Sequence, residues 1–161
     1  MWKVHPDGTG LTAVVDSATS PGFQGNPSQN PAGDRLVYQT GPWFDGRLVV
    51  LDLGTSRGTS IGATGGWPSW SPDGAWIAYL ANDRSVRLTS PDGAHDALVT
   101  EGALVNPGFA WSPDGQWLLL LDQWGNYPPP PRLVHVATGE TLPLAFPYQD
   151  FYGLYQFAWK P

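Results

Sequence analysis

The chain has no cysteine. That excludes disulfides, thiolate zinc sites and thiol nucleophiles. It does not fix the compartment, since many secreted chains also lack cysteine. Cations are scarce, with 8 Lys and Arg against 14 Asp and Glu, for a formal charge of −6. A nucleic-acid backbone is held by clustered cations, so this balance argues against such a partner. No apolar run reaches the roughly 18 residues that a membrane-spanning helix needs. The start, Met1-Trp2-Lys3-Val4-His5, does not have the layout of a signal peptide. The three histidines, His5, His95 and His135, form no His-x-x-x-His pair and sit in no acidic cluster. No metal or cofactor is expected from them. Helix-length stretches with a clean apolar stripe are missing too, because 20 Gly and 17 Pro punctuate 161 residues.

What is present is a repeated strand–turn–strand unit rich in tryptophan. Trp67-Pro68-Ser69-Trp70-Ser71-Pro72-Asp73-Gly74-Ala75-Trp76-Ile77-Ala78-Tyr79 is nearly copied in Phe109-Ala110-Trp111-Ser112-Pro113-Asp114-Gly115-Gln116-Trp117-Leu118-Leu119-Leu120. Proline sets φ near −65° at the second turn position, Asp bonds nearby amides, and Gly accepts positive φ. The strands that leave the turns, Trp76 to Leu80 and Trp117 to Leu121, do not alternate apolar with polar. Both of their faces are expected to be buried.

Taken in order, Trp2 to His5 and Leu11 to Val15 read as two strands around Pro6-Asp7-Gly8, and Ser17 to Asn26 as a polar loop. A worn copy of the turn, Asn30-Pro31-Ala32-Gly33-Asp34, precedes strands at Arg35 to Gln39 and Arg47 to Leu51, and Gly58 to Gly62 is a weak strand or loop. The next unit has strands at Ser69–Ser71, Trp76–Leu80, Val86–Thr89 and Ala97–Val99. The third has them at Phe109–Ser112, Trp117–Leu121, Arg132–Val136 and Thr141–Leu144. Pro31, Pro72 and Pro113 fall 41 residues apart, and Pro161 follows after 48. Arg47-Leu48-Val49-Val50 and Arg132-Leu133-Val134-His135 lie 85 apart, which places His135 at the strand position of Val50. Four short strands per forty or so residues indicate an all-β propeller, with about four blade equivalents in this chain. A β-sandwich would not explain the repeated Trp-Ser-Pro-Asp-Gly.

Trp-Ser-Pro-Asp-Gly, followed by an apolar triplet and a second Asp-Gly turn, resembles the TolB-type repeat, a relative of WD repeats. Residues 67–100 and 107–121 match best; residues 27–62 match with Asn30 for Ser and Ala32 for Asp. The resemblance implies a bacterial, often periplasmic or extracellular, protein-binding propeller, commonly of six blades, and implies no activity. On this reading residues 1–161 are one propeller domain or a fragment of one. Its parts are a half blade (1–16), blades at 27–62, 67–100 and 107–144, and the first strand of a further blade (156–161). Three routes to a closed ring follow: a fourth blade stitched from both ends, self-association of two chains into about eight blades, or further sequence in a longer protein.

Two Gly-x-Ser-x-Gly strings, Gly54–Gly58 and Gly58–Gly62, lie in turn and strand context, whereas a nucleophile elbow needs a following helix. Asp73, Asp92 and Asp114 recur from unit to unit, which marks turn formers; a catalytic acid is needed once. Trp70, Trp111 and Trp159 recur too and read as core. The loop aromatics do not recur. Trp43, Phe44, Trp124, Tyr127, Tyr148, Phe151 and Tyr152 fall in connections that share one face of a propeller. They are the candidate ligand-binding residues; the competing reading is that they plug the axis or cover the ring edge. Tyr127 to Pro131 suits polyproline II. The expected function is a non-catalytic scaffold recognising a protein or peptide. The alternatives are the propeller portion of a larger enzyme, such as a serine peptidase, and a carbohydrate-binding propeller.

Overall fold

The computed structural model describes residues 1–15, 24–41, 45–101, 108–121 and 131–145. Every regular element among them is a β-strand. A hairpin of β1 (Trp2–Lys3) and β2 (Thr12–Ala13) comes first. Then follow β3 (Gln24–Gln29), β4 (Arg35–Thr40), β5 (Arg47–Asp52) and the long β6 (Arg57–Trp70). The second unit continues with β7 (Ile77–Ala81), β8 (Val86–Thr89) and β9 (Asp96–Thr100). The third is β10 (Gly108–Trp111), β11 (Trp117–Leu121), β12 (Arg132–His135) and β13 (Thr141–Pro143). Each strand pairs antiparallel with the next within its unit, so three four-stranded meanders result.

The first two meanders share β6. Its first half is the outer strand of one unit, paired with β5 from Asp52↔Arg57 to Arg47↔Thr64. Its second half is the inner strand of the next, paired with β7 from Gly65↔Ala81 to Trp70↔Ile77. Glycine is required at the handover. Gly65 has φ +151°, and a Cβ there would lie 2.1 Å from the Leu80 carbonyl oxygen.

Each sheet is apolar on both faces, and the faces stack. Val37, Leu48, Val50 and Ile61 of the first unit pack on Trp70, Ile77 and Tyr79 of the second. The opposite face of the second unit, with Leu80, Val86 and Leu88, packs on Trp111, Leu118, Leu120 and Val134 of the third. The free face of the first unit, with Tyr38 and Leu51, is covered by Met1, Val14 and Val15 of the hairpin. The inner strands are also tied across units. The Trp70 amide donates to Ser28 Oγ at 3.1 Å, and the Trp111 indole N–H donates to the Ser69 carbonyl at 3.2 Å. Trp70 and Trp111 are thus core residues; Trp159 lies outside the described residues.

Several strand limits differ from those the sequence suggests. Gln24–Asn26 is strand and not loop, because Gln24 and Gly25 pair with Thr40 and Gln39 across a bulge. Arg57 to Trp70 is continuous where a weak strand and a separate short strand were expected. The first hairpin pairs over only two residues per strand, and among the described residues no further strand lies beside it in the sheet. His135 does not take the place of Val50. Val50 pairs with Val37, and Leu133 pairs with Leu119, so Leu133 is the counterpart. Paired positions lie 13 residues apart in the first unit (Val37 and Val50) and 14 in the third (Leu119 and Leu133), so the Arg-Leu-Val match at 85 residues overshoots the register by two.

Leu118 is fully buried between the second and third units. Leu118→Ala is expected to lower the unfolding free energy by about 2–5 kcal/mol, read as a shift in the urea midpoint.

Candidate functional site: the face carrying the long connections

Antiparallel meanders divide their connections between two ends. At one end lie the turns after the first and third strands of each unit. At the other lie the 41–46, 82–85 and 122–131 connections and the crossings between units.

The turn end is made of near copies that satisfy themselves. Ser71 Oγ donates to Asp73 Oδ1 at 2.5 Å and accepts the Trp76 amide at 2.9 Å, while Asp73 Oδ1 also accepts the Ala75 amide at 3.0 Å. The same three bonds recur at Ser90, Asp92, Ala94 and His95. They recur again at Ser112, Asp114, Gln116 and Trp117. In the worn copy Asn30 does the work of the serine: its Oδ1 accepts the Arg35 amide at 2.9 Å and its Nδ2 donates to Asp34 at 2.7 Å. The carboxylates of Asp73, Asp92 and Asp114 are structural: Oδ1 of each is engaged twice by the turn itself.

The other end is where the units differ. Gln39 is fully buried at the position that Leu80 fills in the second unit. Its Oε1 accepts from Asn26 Nδ2 at 3.3 Å. Asn26 in turn occupies the bulge position of Trp67, and both carry positive φ, 52° and 51°. Asparagine tolerates that conformation; tryptophan adopts it under strain. Where the second unit sets Trp67 and Leu80, the first thus buries an amide pair at the foot of the 41–46 connection. Gly46 is pressed against this pair, since a Cβ there would lie 2.5 Å from Gln39 Cγ. Its carbonyl accepts the Gly65 amide at 2.8 Å, and the neighbouring Asp45 accepts from Asn82 Nδ2 at 3.1 Å. The stem of this connection is therefore fixed to the second unit.

Trp43 and Phe44 lie on that connection, and Trp124 and Tyr127 between β11 and β12; Tyr148, Phe151 and Tyr152 follow β13. All seven lie outside the described residues, so the structure places their stems and not their side chains. Sequence reasoning missed Asn26 and Gln39. The 41-residue period, which sets Gln39 against Leu80 and Leu121, was the signal that could have found them. The two Gly-x-Ser-x-Gly strings fall on the β5–β6 turn and on β6, with no helix among the described residues. Nor do the described residues gather three His, Cys, Asp or Glu side chains into a metal-binding group. No helix among them is long and apolar enough to cross a membrane.

Comparison with known proteins bears on the fold. No family model matches the sequence, and no curated protein does. Solved structures match well. TolB from Acinetobacter baumannii superposes with a TM-score of 0.73 at 18% identity, over 90% of this chain and 37% of TolB. A chain of the nidogen/laminin complex gives 0.65 at 14% identity, over 84% of this chain and 52% of that one. The tricorn protease gives 0.62 at 9% identity, over 84% of this chain and 14% of that one. The fold is that of a β-propeller, shared with TolB and with the other structures named. This chain spans from about a seventh to about a half of the length of those three, and its meanders are propeller blades.

One further polar group is particular to the second blade. Tyr79 Oη donates to Asp96 Oδ2 at 2.5 Å, and Arg87 Nε donates to Asp96 Oδ1 at 2.5 Å. A second guanidinium nitrogen of Arg87 contacts the same oxygen. Burial, and then the bond to Asp96, push the Tyr79 phenol well above its usual range; Asp96 raises the Arg87 guanidinium. In the first blade the same positions hold Tyr38, Val49 and Gly58. The group clamps three strands together. Tyr79→Phe is expected to cost about 0.5–1.5 kcal/mol. Asp96→Ala is expected to cost more, about 1–3 kcal/mol, because it strands two donors; urea titration separates the two.

The turn carboxylates contribute to acid sensitivity. Hydrogen bonds from Ser71, Ser90 and Ser112, and then from the turn amides, hold Asp73, Asp92 and Asp114 below the usual 3.8. A depressed folded-state pKa adds stability that is complete above the unfolded value and is lost as pH falls through the folded one. Thermal melts are expected to be insensitive to these groups near neutrality and to fall between about pH 5 and pH 2. Asp73→Asn is expected to show a smaller acid loss than the parent.

Proposed function

We propose that this chain is a non-catalytic binding propeller that recognises a protein or peptide through the face carrying the long connections. The domain is read as one propeller or part of one, divided into a half blade at 1–16, blades at 27–62, 67–100 and 107–144, and a first strand at 156–161. The observation that carries the reading is the contrast between the two ends. The turn end repeats itself and consumes its own polar groups. The other end departs from the repeat at Asn26 and Gln39 and bears the non-repeating aromatics Trp43, Phe44, Trp124, Tyr127, Tyr148, Phe151 and Tyr152. Aromatic side chains on a rigid scaffold supply large contact area at little entropic cost, which suits a peptide or protein surface. The match to a chain of a nidogen/laminin complex supports a protein partner by analogy.

A second reading has one observation in its favour. The chain covers only 14% of the tricorn protease, as expected of a propeller segment within a larger enzyme. On that reading the same face borders a catalytic domain encoded elsewhere in the chain.

Panning a random peptide display library against the purified chain tests the first reading. Selected peptides are expected to bind the parent and to lose at least about tenfold in affinity to Trp43→Ala/Trp124→Ala/Tyr152→Ala. They should bind unchanged to Ala75→Gln/Ala94→Gln/Ala137→Gln at the turn end. Peptides indifferent to the first triple, or lost with the second, contradict it. Glycan-array binding abolished by Trp43→Ala or Trp124→Ala would assign the face to carbohydrate instead.

A further inference from the structure

The N-terminal hairpin is built like the outer half of a blade, and one of its glycines meets empty space where its counterparts do not. His5-Pro6-Asp7-Gly8 is similar to Ser90-Pro91-Asp92-Gly93: in both, the glycine amide bonds the carbonyl three residues back, although the closing bond runs from His5 to Thr9 in one and from Ser90 to His95 in the other. In the second blade, Gly93 at φ +72° is pressed onto the preceding blade, where a Cβ would lie 2.1 Å from the Ile61 carbonyl oxygen. In the third, a Cβ on Gly139 at φ +71° would meet the Val99 carbonyl oxygen at 3.2 Å. Gly8, at φ +81°, meets nothing within 4 Å.

The side chains agree. Register aligns Val4 with Leu51, Thr89 and Val134, which are buried against a neighbour, yet Val4 is 55% exposed. Trp2 and Leu11, on the same face, are each 66% exposed. The far end of the chain shows the complementary surface. Leu144 aligns with Ile61 and Val99, both buried, but is only half-buried. Leu142, on the same face as Leu133, is 42% exposed.

We propose that the face of Trp2, Val4, Gly8 and Leu11 docks onto Leu133, Leu142 and Leu144 of a second copy of this chain, and that two such head-to-tail contacts close a ring. Gly8 would then seat on the Leu144 carbonyl, as Gly93 seats on Ile61 and Gly139 on Val99. The two surfaces are the leading and trailing sides of one stacking pattern, so each copy supplies what the other needs. Chain length fits as well. This chain covers 52% of the nidogen/laminin propeller chain and 48% of a TolB-like structure from Agrobacterium tumefaciens, so two copies amount to about one such chain.

The test is the molar mass of the 161-residue chain by light scattering across the micromolar range. The expected mass is that of two 17.4 kDa chains. Gly8→Asn keeps a residue type that tolerates positive φ but inserts a side chain into the contact, and is expected to weaken the dimer at least about tenfold. Gly62→Asn is the control: Gly62 has φ +75° and also meets nothing within 4 Å, but it is far from both surfaces in the stacking pattern, and the dimer should be unchanged. Leu144→Asp should yield monomer, with strand content intact by circular dichroism. A one-chain mass for the parent, a dimer indifferent to Gly8→Asn, or a ladder of masses beyond two chains would overturn the proposal.

Discussion

A four-stranded sheet with oil on both sides cannot stand in water by itself. That constraint organises this molecule. Leu80 and Leu88 point one way from the second blade while Ile77 and Tyr79 point the other, and both sets are buried. Covering them takes a blade on each flank, and the twist of a β-sheet turns such a stack about an axis. The close approaches follow from the same need. Gly93 lies against the backbone of the preceding blade, where any side chain would hold the sheets apart. Stability here is therefore closer to a sum over neighbouring interfaces than to a property of one central core.

The stacking also decides where variation is tolerated. The turn end carries the Ser-Asp-Gly geometry three times over, with every serine hydroxyl bonded twice. A change there disturbs a turn. The opposite end bears connections of unequal length above stems that the ladder and the Gly46, Asp45 and Asn82 contacts hold in place. Loops there are free to differ because the scaffold beneath them is rigid. At the amide pair of Asn26 and Gln39 that difference reaches into the core.

Much of this is legible in the sequence, for identifiable reasons. The strands at Val86–Thr89 and Trp117–Leu121 agree with the expected limits, because Asp-Gly or Ser-Pro-Asp-Gly turns bound them and apolar runs fill them. The handover from the first blade to the second was not legible. Glycine reads as punctuation, yet in β6 Gly65 and Gly66 lie inside a ladder with Ala81 and Leu80, and the direction changes through positive φ at Gly62 and Trp67. His135 was misplaced because spacing alone does not reveal where extra loop residues enter. The Asn26–Gln39 pair went unnoticed since the two are thirteen residues apart and meet only across a bulge. The loop aromatics remain a sequence argument, for they lie outside the described residues.

If blades stand only against blades, one cut out alone should not hold its shape. The direct measurement is urea denaturation of an isolated second blade, residues 65–101, followed by circular dichroism and tryptophan emission beside the whole chain. Neighbour-dependent stacking predicts a sloping, uncooperative response from the single blade and a sigmoidal one from the 161 residues. A cooperative transition in the isolated, monomeric blade would contradict it.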